Sequence, residues 1–119
     1  MPVAESPVDL VVLSEVRRAT RSGAARRVRE LARISQGELS RTLGISAPTV
    51  SYWESGSKDP SQRLAGPYVR FLCRWARSLR ESDDSAVQEL LRTAELLERL
   101  GFGFDQAAGP KEVIPGRAA

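Results

Sequence analysis

The apolar positions of this chain recur at helical spacing in one segment after another. In residues 8–21, Val8, Val11, Val12, Val16 and Ala19 alternate with Asp9, Glu15, Arg17 and Arg18, which predicts a helix with a single apolar face. Residues 1–7 contain two prolines and are expected to be loose. Ser22-Gly23 marks a break. Residues 23–33 then form a second helix that buries Ala25, Val28, Leu31 and Ala32 and leaves Arg26, Arg27 and Arg33 outside.

The next stretch is the most informative. Ser35 is a good N-cap, and Glu38 three residues later completes a capping box. Leu39, Thr42 and Leu43 follow on one face. Gly44 falls where a helix-ending residue takes the left-handed conformation, and Ile45 is placed as a plug between helices. Ser46 caps a second short helix, with Pro48 tolerated in its first turn. Val50 and Trp53 face inward, Gly56 ends the helix and Pro60 blocks its continuation. Ala47, Pro48, Ser51 and Tyr52 are left on the outward face. A helix, a tight turn and a second helix is the unit that many proteins use to lay a helix in the DNA major groove. A solvated face on a small helical domain would show the same periodicity.

Ser55 to Gly66 is expected as a polar loop. Gly66-Pro67 is taken as a helix start, with Tyr68, Leu72, Trp75, Ala76 and Leu79 at helical spacing after it, closing the core over Trp53. Ser82-Asp83-Asp84 caps a last helix that Gly101 ends. Val87, Leu90, Leu91, Ala94, Leu97 and Leu100 give that helix a broad apolar stripe. Its 3-4-3 seam has three open fates: packing on its own domain, pairing with a second subunit, or meeting another protein. The segment from Gly103 to Ala119 lacks periodicity and is expected to be a flexible tail.

Residues 23 to about 61 resemble the Xre/Cro-type helix-turn-helix family of phage repressors and bacterial regulators. The resemblance is carried by Val28-Arg29-Glu30, Ser35-Gln36-Gly37-Glu38-Leu39-Ser40, Leu43-Gly44-Ile45-Ser46, Thr49-Val50-Ser51-Tyr52-Trp53-Glu54, Gly56 and Pro60. It implies a lambda-repressor-like bundle whose third family helix lies in the major groove. It also implies backbone contacts from Gln36, Thr49, Arg41, Ser57 and Lys58, with Gln36 on a phosphate. Arg29 and Glu54 fall where the family places a buried ion pair. Glu54 follows the buried Trp53, and a buried carboxylate requires a partner. One departure stands out. The first two base-facing positions, where the family often has polar side chains, are Ala47 and Pro48. Neither can hydrogen-bond a base edge, whereas both could touch a thymine methyl, with Ser51 and Tyr52 adding polar contacts.

Composition narrows the chemistry. There is no histidine, which removes the commonest general base and metal ligand at neutral pH. Neither a catalytic constellation nor a metal or cofactor site is expected, so the chain is read as a non-enzyme. The lone Cys73 sits among Val69, Phe71, Leu72 and Trp75 and is expected as a buried thiol. No signal-peptide pattern and no apolar run of membrane-spanning length is present, which points to a cytoplasmic protein. Residues 17–80 hold 14 basic against 4 acidic residues, while both flanks are net acidic. The positive charge therefore coincides with the helix-turn-helix, as expected of a phosphate-binding module.

The expected fold is all-α, a five- to six-helix bundle. Residues 1–22 form an N-terminal extension with an extra helix, and 23–80 the DNA-binding domain. Residues 81–101 form a C-terminal helix available for dimerisation, and 102–119 a tail. The leading function is a transcriptional regulator, a repressor acting as a homodimer by occupying an operator on double-stranded DNA. An antitoxin that autoregulates its operon and binds a toxin, and a protein-interaction adaptor, are the alternatives; polymerase is a further partner to consider.

Overall fold

The computed structural model describes residues 6–104. Six helices follow one another: α1 (Pro7–Ser22), α2 (Ala24–Leu31), α3 (Gln36–Leu43), α4 (Ala47–Ser55), α5 (Gln62–Ser78) and α6 (Ser85–Arg99). The first begins earlier than the two prolines suggested. Ser6 and Asp9 form a reciprocal capping box, and Pro7 occupies the first turn, where a missing N–H costs nothing. Gly23, at φ +87°, ends α1 and opens α2 in a single residue. A left-handed residue there turns the chain without a loop.

The core gathers on α5. Tyr68, Val69, Leu72, Cys73 and Ala76 are fully buried, with Phe71 and Trp75 nearly so. Trp53 of α4 meets Tyr68 at 5.1 Å between ring centroids. Apolar side chains of this size each contribute about 1.5–3 kcal/mol when withdrawn from water, so this cluster is the chief stabiliser of the bundle. Burial pushes the Cys73 thiol up to about 12, leaving it protonated and unreactive at neutral pH.

The start of α5 differs from the sequence expectation. The helix opens after Ser61 and runs through Pro67, which stands inside it. Interior proline leaves the carbonyl four residues back without its helical partner, at a cost of about 3 kcal/mol. The helix extends anyway because Ala65, before the proline, is already buried with Tyr68 and Val69. The loop expected over 55–66 shrinks accordingly to residues 56–61.

The stripe of α6 packs on its own domain. Val87, Leu90, Ala94 and Leu97 are at most 1% exposed, against α2, α5 and α1. The reason is the demand from α5: its Cys73 side faces outward until α6 covers it, and Cys73 Sγ lies 3.8 Å from the Leu90 carbonyl. These four seam side chains are therefore spent within one copy of the chain and are not presented to a second. Leu91 is half-buried, and Leu100, 41% exposed, stays outside.

The tail expected from residue 102 is likewise corrected over residues 102–104. Gly101, at φ +88°, turns the chain back. Phe102 and Phe104 pack edge to face at 5.0 Å, under the guanidinium groups of Arg70 and Arg77 at 4.6 and 4.9 Å. Arg70 Nε donates to the Gly103 carbonyl at 3.1 Å. Cation–aromatic contacts of this kind each contribute about 0.5–2 kcal/mol. The expectations for residues 1–5 and 105–119 lie outside the described residues.

Candidate nucleic-acid interface

The α3–α4 unit is built by its caps. Ser35 Oγ accepts the Glu38 N–H at 2.9 Å, and Glu38 Oε1 accepts the Ser35 N–H at 2.8 Å. These bonds from Ser35 hold the Glu38 carboxyl below its ordinary value. Gly44, at φ +74°, closes α3, and the Ile45 N–H reaches back to the Ser40 carbonyl at 2.9 Å. A side chain at Gly44 would meet no atom within 4 Å, so the glycine is required by backbone conformation alone. Ser46 Oγ then accepts the Thr49 N–H at 3.2 Å and starts α4.

A buried polar network fixes the orientation of α4. Arg29 and Glu54 form a bidentate pair at 2.6 and 2.9 Å, with side chains 8% and 2% exposed. Arg29 Nη1 also donates to the Ile34 carbonyl at 2.5 Å. The hydrogen bonds that Arg29 donates to Glu54 raise its pKa further, so its charge is permanent. Gln36 joins the network: its Nε2 donates to Glu54 Oε1 at 2.9 Å. That contact was not legible in the sequence, where Gln36 pointed only to a phosphate. An amide has two N–H donors, so one bond to Glu54 leaves the other available. The cluster thus links α2, α3 and α4 at one point.

With Val50 and Trp53 buried, the opposite face of α4 is presented outward. Pro48 and Ser51 are exposed, Tyr52 is 46% exposed and Ala47 is half-buried. The Lys58 ammonium lies 5.1 Å from the centroid of the Tyr52 ring. Ser57 and Lys58 both donate their N–H groups to the Tyr52 carbonyl, at 3.0 and 3.2 Å, which folds the following loop against the end of α4. Ser57 is exposed, with its hydroxyl 2.7 Å from that of Ser55. Thr49 is half-buried, and its hydroxyl shares a 2.8 Å hydrogen bond with Ser46. Arg41 is exposed at the end of α3.

The charge of the basic segment divides into two populations. Arg27 pairs with Asp84, Arg18 with Glu15 and Glu89, Arg26 with Glu30, and Arg77 with Glu98. All but the Arg26–Glu30 pair, which lies within α2, join the basic segment to carboxylates of the acidic flanks. The pairing with Arg27 in turn holds the Asp84 carboxyl below its ordinary value. Arg33, Lys58 and Arg63 form no ion pair within 4 Å among the described residues, and Arg41 lies close enough to Glu38 to help hold that carboxyl below its ordinary value. Two of them, Arg41 and Lys58, flank the exposed face of α4 in sequence. Sequence reasoning also missed Asp59, which Arg21 reaches at 2.6 Å and Arg17 at 3.8 Å. Through it α1 is tied to the loop that carries Lys58. No sequence spacing signals that contact, since 38 residues separate Arg21 from Asp59.

Residues 26–72 match a family model described as Helix-turn-helix, which agrees with the resemblance carried by the α2–α4 motifs. The matched segment runs from within α2 into α5, and leaves α1, α6 and residues 102–104 outside it. No curated protein and no solved structure matches the chain. No helix among the described residues is long and apolar enough to cross a membrane.

Proposed function

We propose that this protein, whose residues 26–72 match a family model described as Helix-turn-helix and resemble the Xre/Cro-type regulators, is a sequence-specific transcriptional repressor. It occupies an operator on double-stranded DNA as a homodimer, and it is a cytoplasmic binding protein with no enzymatic step. The observation that carries this reading is the face of α4. Ala47, Pro48, Ser51 and Tyr52 face away from the core on a helix locked at its far end by the Arg29–Glu54–Gln36 network, with the Lys58 ammonium against the Tyr52 ring and Arg41 exposed at the end of α3. A rigid helix with an open face and neighbouring positive charge suits a groove lined by phosphates.

The dimer follows from what one helix can read. Four side chains over two turns cover only a few base pairs, too few to single out an operator among competing sites. A second copy related by a two-fold axis would place another α4 about one DNA turn, roughly 34 Å, away. Because the α6 seam is buried, the second copy meets a different surface.

Selection from a random duplex library with the full chain tests the reading. Enriched sequences are expected to contain an inverted repeat with half-site centres about 10 base pairs apart. Enrichment of a single half-site would contradict the dimer. No enrichment at any salt concentration would contradict sequence-specific binding.

A further inference from the structure

The first turn of α4 carries almost no group able to read a base edge by hydrogen bonding. Pro48 has no N–H and no polar side-chain atom, and Ala47 offers only a methyl. The hydroxyls of Ser46 and Thr49 hydrogen-bond each other at 2.8 Å, and Ser46 is further engaged as the cap of the Thr49 N–H. One turn on, the Tyr52 ring is half exposed, with Lys58 at 5.1 Å from its centroid. The hydroxyls that remain, on Ser51 and Tyr52, can serve as donor or acceptor and so discriminate weakly between bases. None of these residues can make the bidentate contacts by which Arg selects guanine or Asn and Gln select adenine.

What the face does offer is a small apolar surface at the end of the helix that enters the groove. The major groove contains one apolar recognition group, the methyl at C5 of thymine or of 5-methylcytosine. We infer that α4 recognises C5-methyl groups of pyrimidines through Ala47, Pro48 and the Tyr52 ring, in place of a hydrogen-bond code. This rests on the DNA-binding reading above and states which chemical feature of DNA that site selects.

The test uses the full chain and three random duplex libraries. The first contains thymine, the second uracil in its place, and the third uracil together with 5-methylcytosine for cytosine. Sequences enriched from the first are remade with uracil at each fixed thymine. Binding is expected to weaken about fourfold for each contacted methyl removed, the loss that corresponds to one buried methyl-sized group. Enrichment of 5-methylcytosine at the fixed positions of the third library would also support methyl recognition and assign it to cytosine.

Equal binding of the thymine and uracil duplexes at every fixed position, with no gain from 5-methylcytosine, overturns the inference and leaves DNA binding intact. Failure to retain duplexes from any library removes both readings. In Pro48→Ser, and independently in Ala47→Gly, the thymine-to-uracil binding ratio is expected to fall toward one, with thermal unfolding showing that each variant folds. An unchanged ratio in both folded variants overturns the assignment to this turn.

Discussion

Helices α4 and α6 both promise a working surface in the sequence, and they resolve in opposite ways. The last helix has the broader apolar stripe, and the bundle buries it: Val87, Leu90, Ala94 and Leu97 close the open side of α5. The shorter α4 buries Val50, Trp53 and Glu54 and leaves Pro48, Ser51 and Tyr52 in solvent. A wide apolar stripe in a chain of this size is first of all core, since a small domain has little other material with which to bury its surface. A narrow face of Pro48, Ser51 and Tyr52, with Lys58 against the Tyr52 ring, has no such use inside the molecule. The difference locates the candidate interface on α4 and removes it from the α6 seam.

The largest effect that would break this contrast is on α6. Leu90→Asp or Leu97→Asp would place a carboxylate at a position with no exposure, at a cost of about 4–5 kcal/mol or more. Against a total stability of about 5–15 kcal/mol, such a variant should be largely unfolded by circular dichroism. A folded monomer, the outcome expected of a dimer seam, would show that α6 is not core.

Next is the network that orients α4. Glu54→Ala strands the Arg29 charge and should cost about 3–5 kcal/mol, and Arg29→Ala should cost a similar amount. Replacing both by apolar residues of similar volume should recover much of the loss. Small additive effects in a thermal-unfolding double-mutant cycle would mean that the pair does not hold α4 in place.

How much of this was legible is clearest at individual residues. The turn at Gly44, the caps at Ser35 and Ser46, and the inward Val50 and Trp53 follow from local rules, because capping and left-handed backbone depend on neighbours in sequence. Contacts across the fold were hidden. Gln36 on Glu54 and Arg21 on Asp59 exist only once helices are packed. Pro67 looked like a helix start because proline favours that position, yet burial of Ala65 extends the helix across it. Phe102 and Phe104 lay in a segment without helical period, and their contacts with Arg70 and Arg77 exist only once that segment folds back on α5.

Smaller effects sharpen the picture of α4. Tyr52→Ala should relax preference at one or two base positions, each worth about 1–3 kcal/mol, in a comparison of operator variants. Gln36→Ala should weaken all sequences nearly equally. The reverse pattern would mean that α4 docks differently. Smaller still is Arg33, a non-glycine residue at φ +63° after α2. Arg33→Gly should raise stability by about 1 kcal/mol by relieving the left-handed backbone, read as a higher melting temperature. A lower one would show that the Arg33 side chain contributes more than its backbone costs.

The salt dependence of binding to a selected duplex tests most directly whether the α4 face is a DNA interface. Each phosphate neutralised adds about 0.9 to the slope of the logarithm of the binding constant against the logarithm of salt concentration. A slope of several is expected for the intact protein, reduced by about one for each copy bound in Lys58→Ala. A binding constant that barely changes with salt, or a slope untouched by Lys58→Ala, would contradict the placement of α4 and its following loop on DNA.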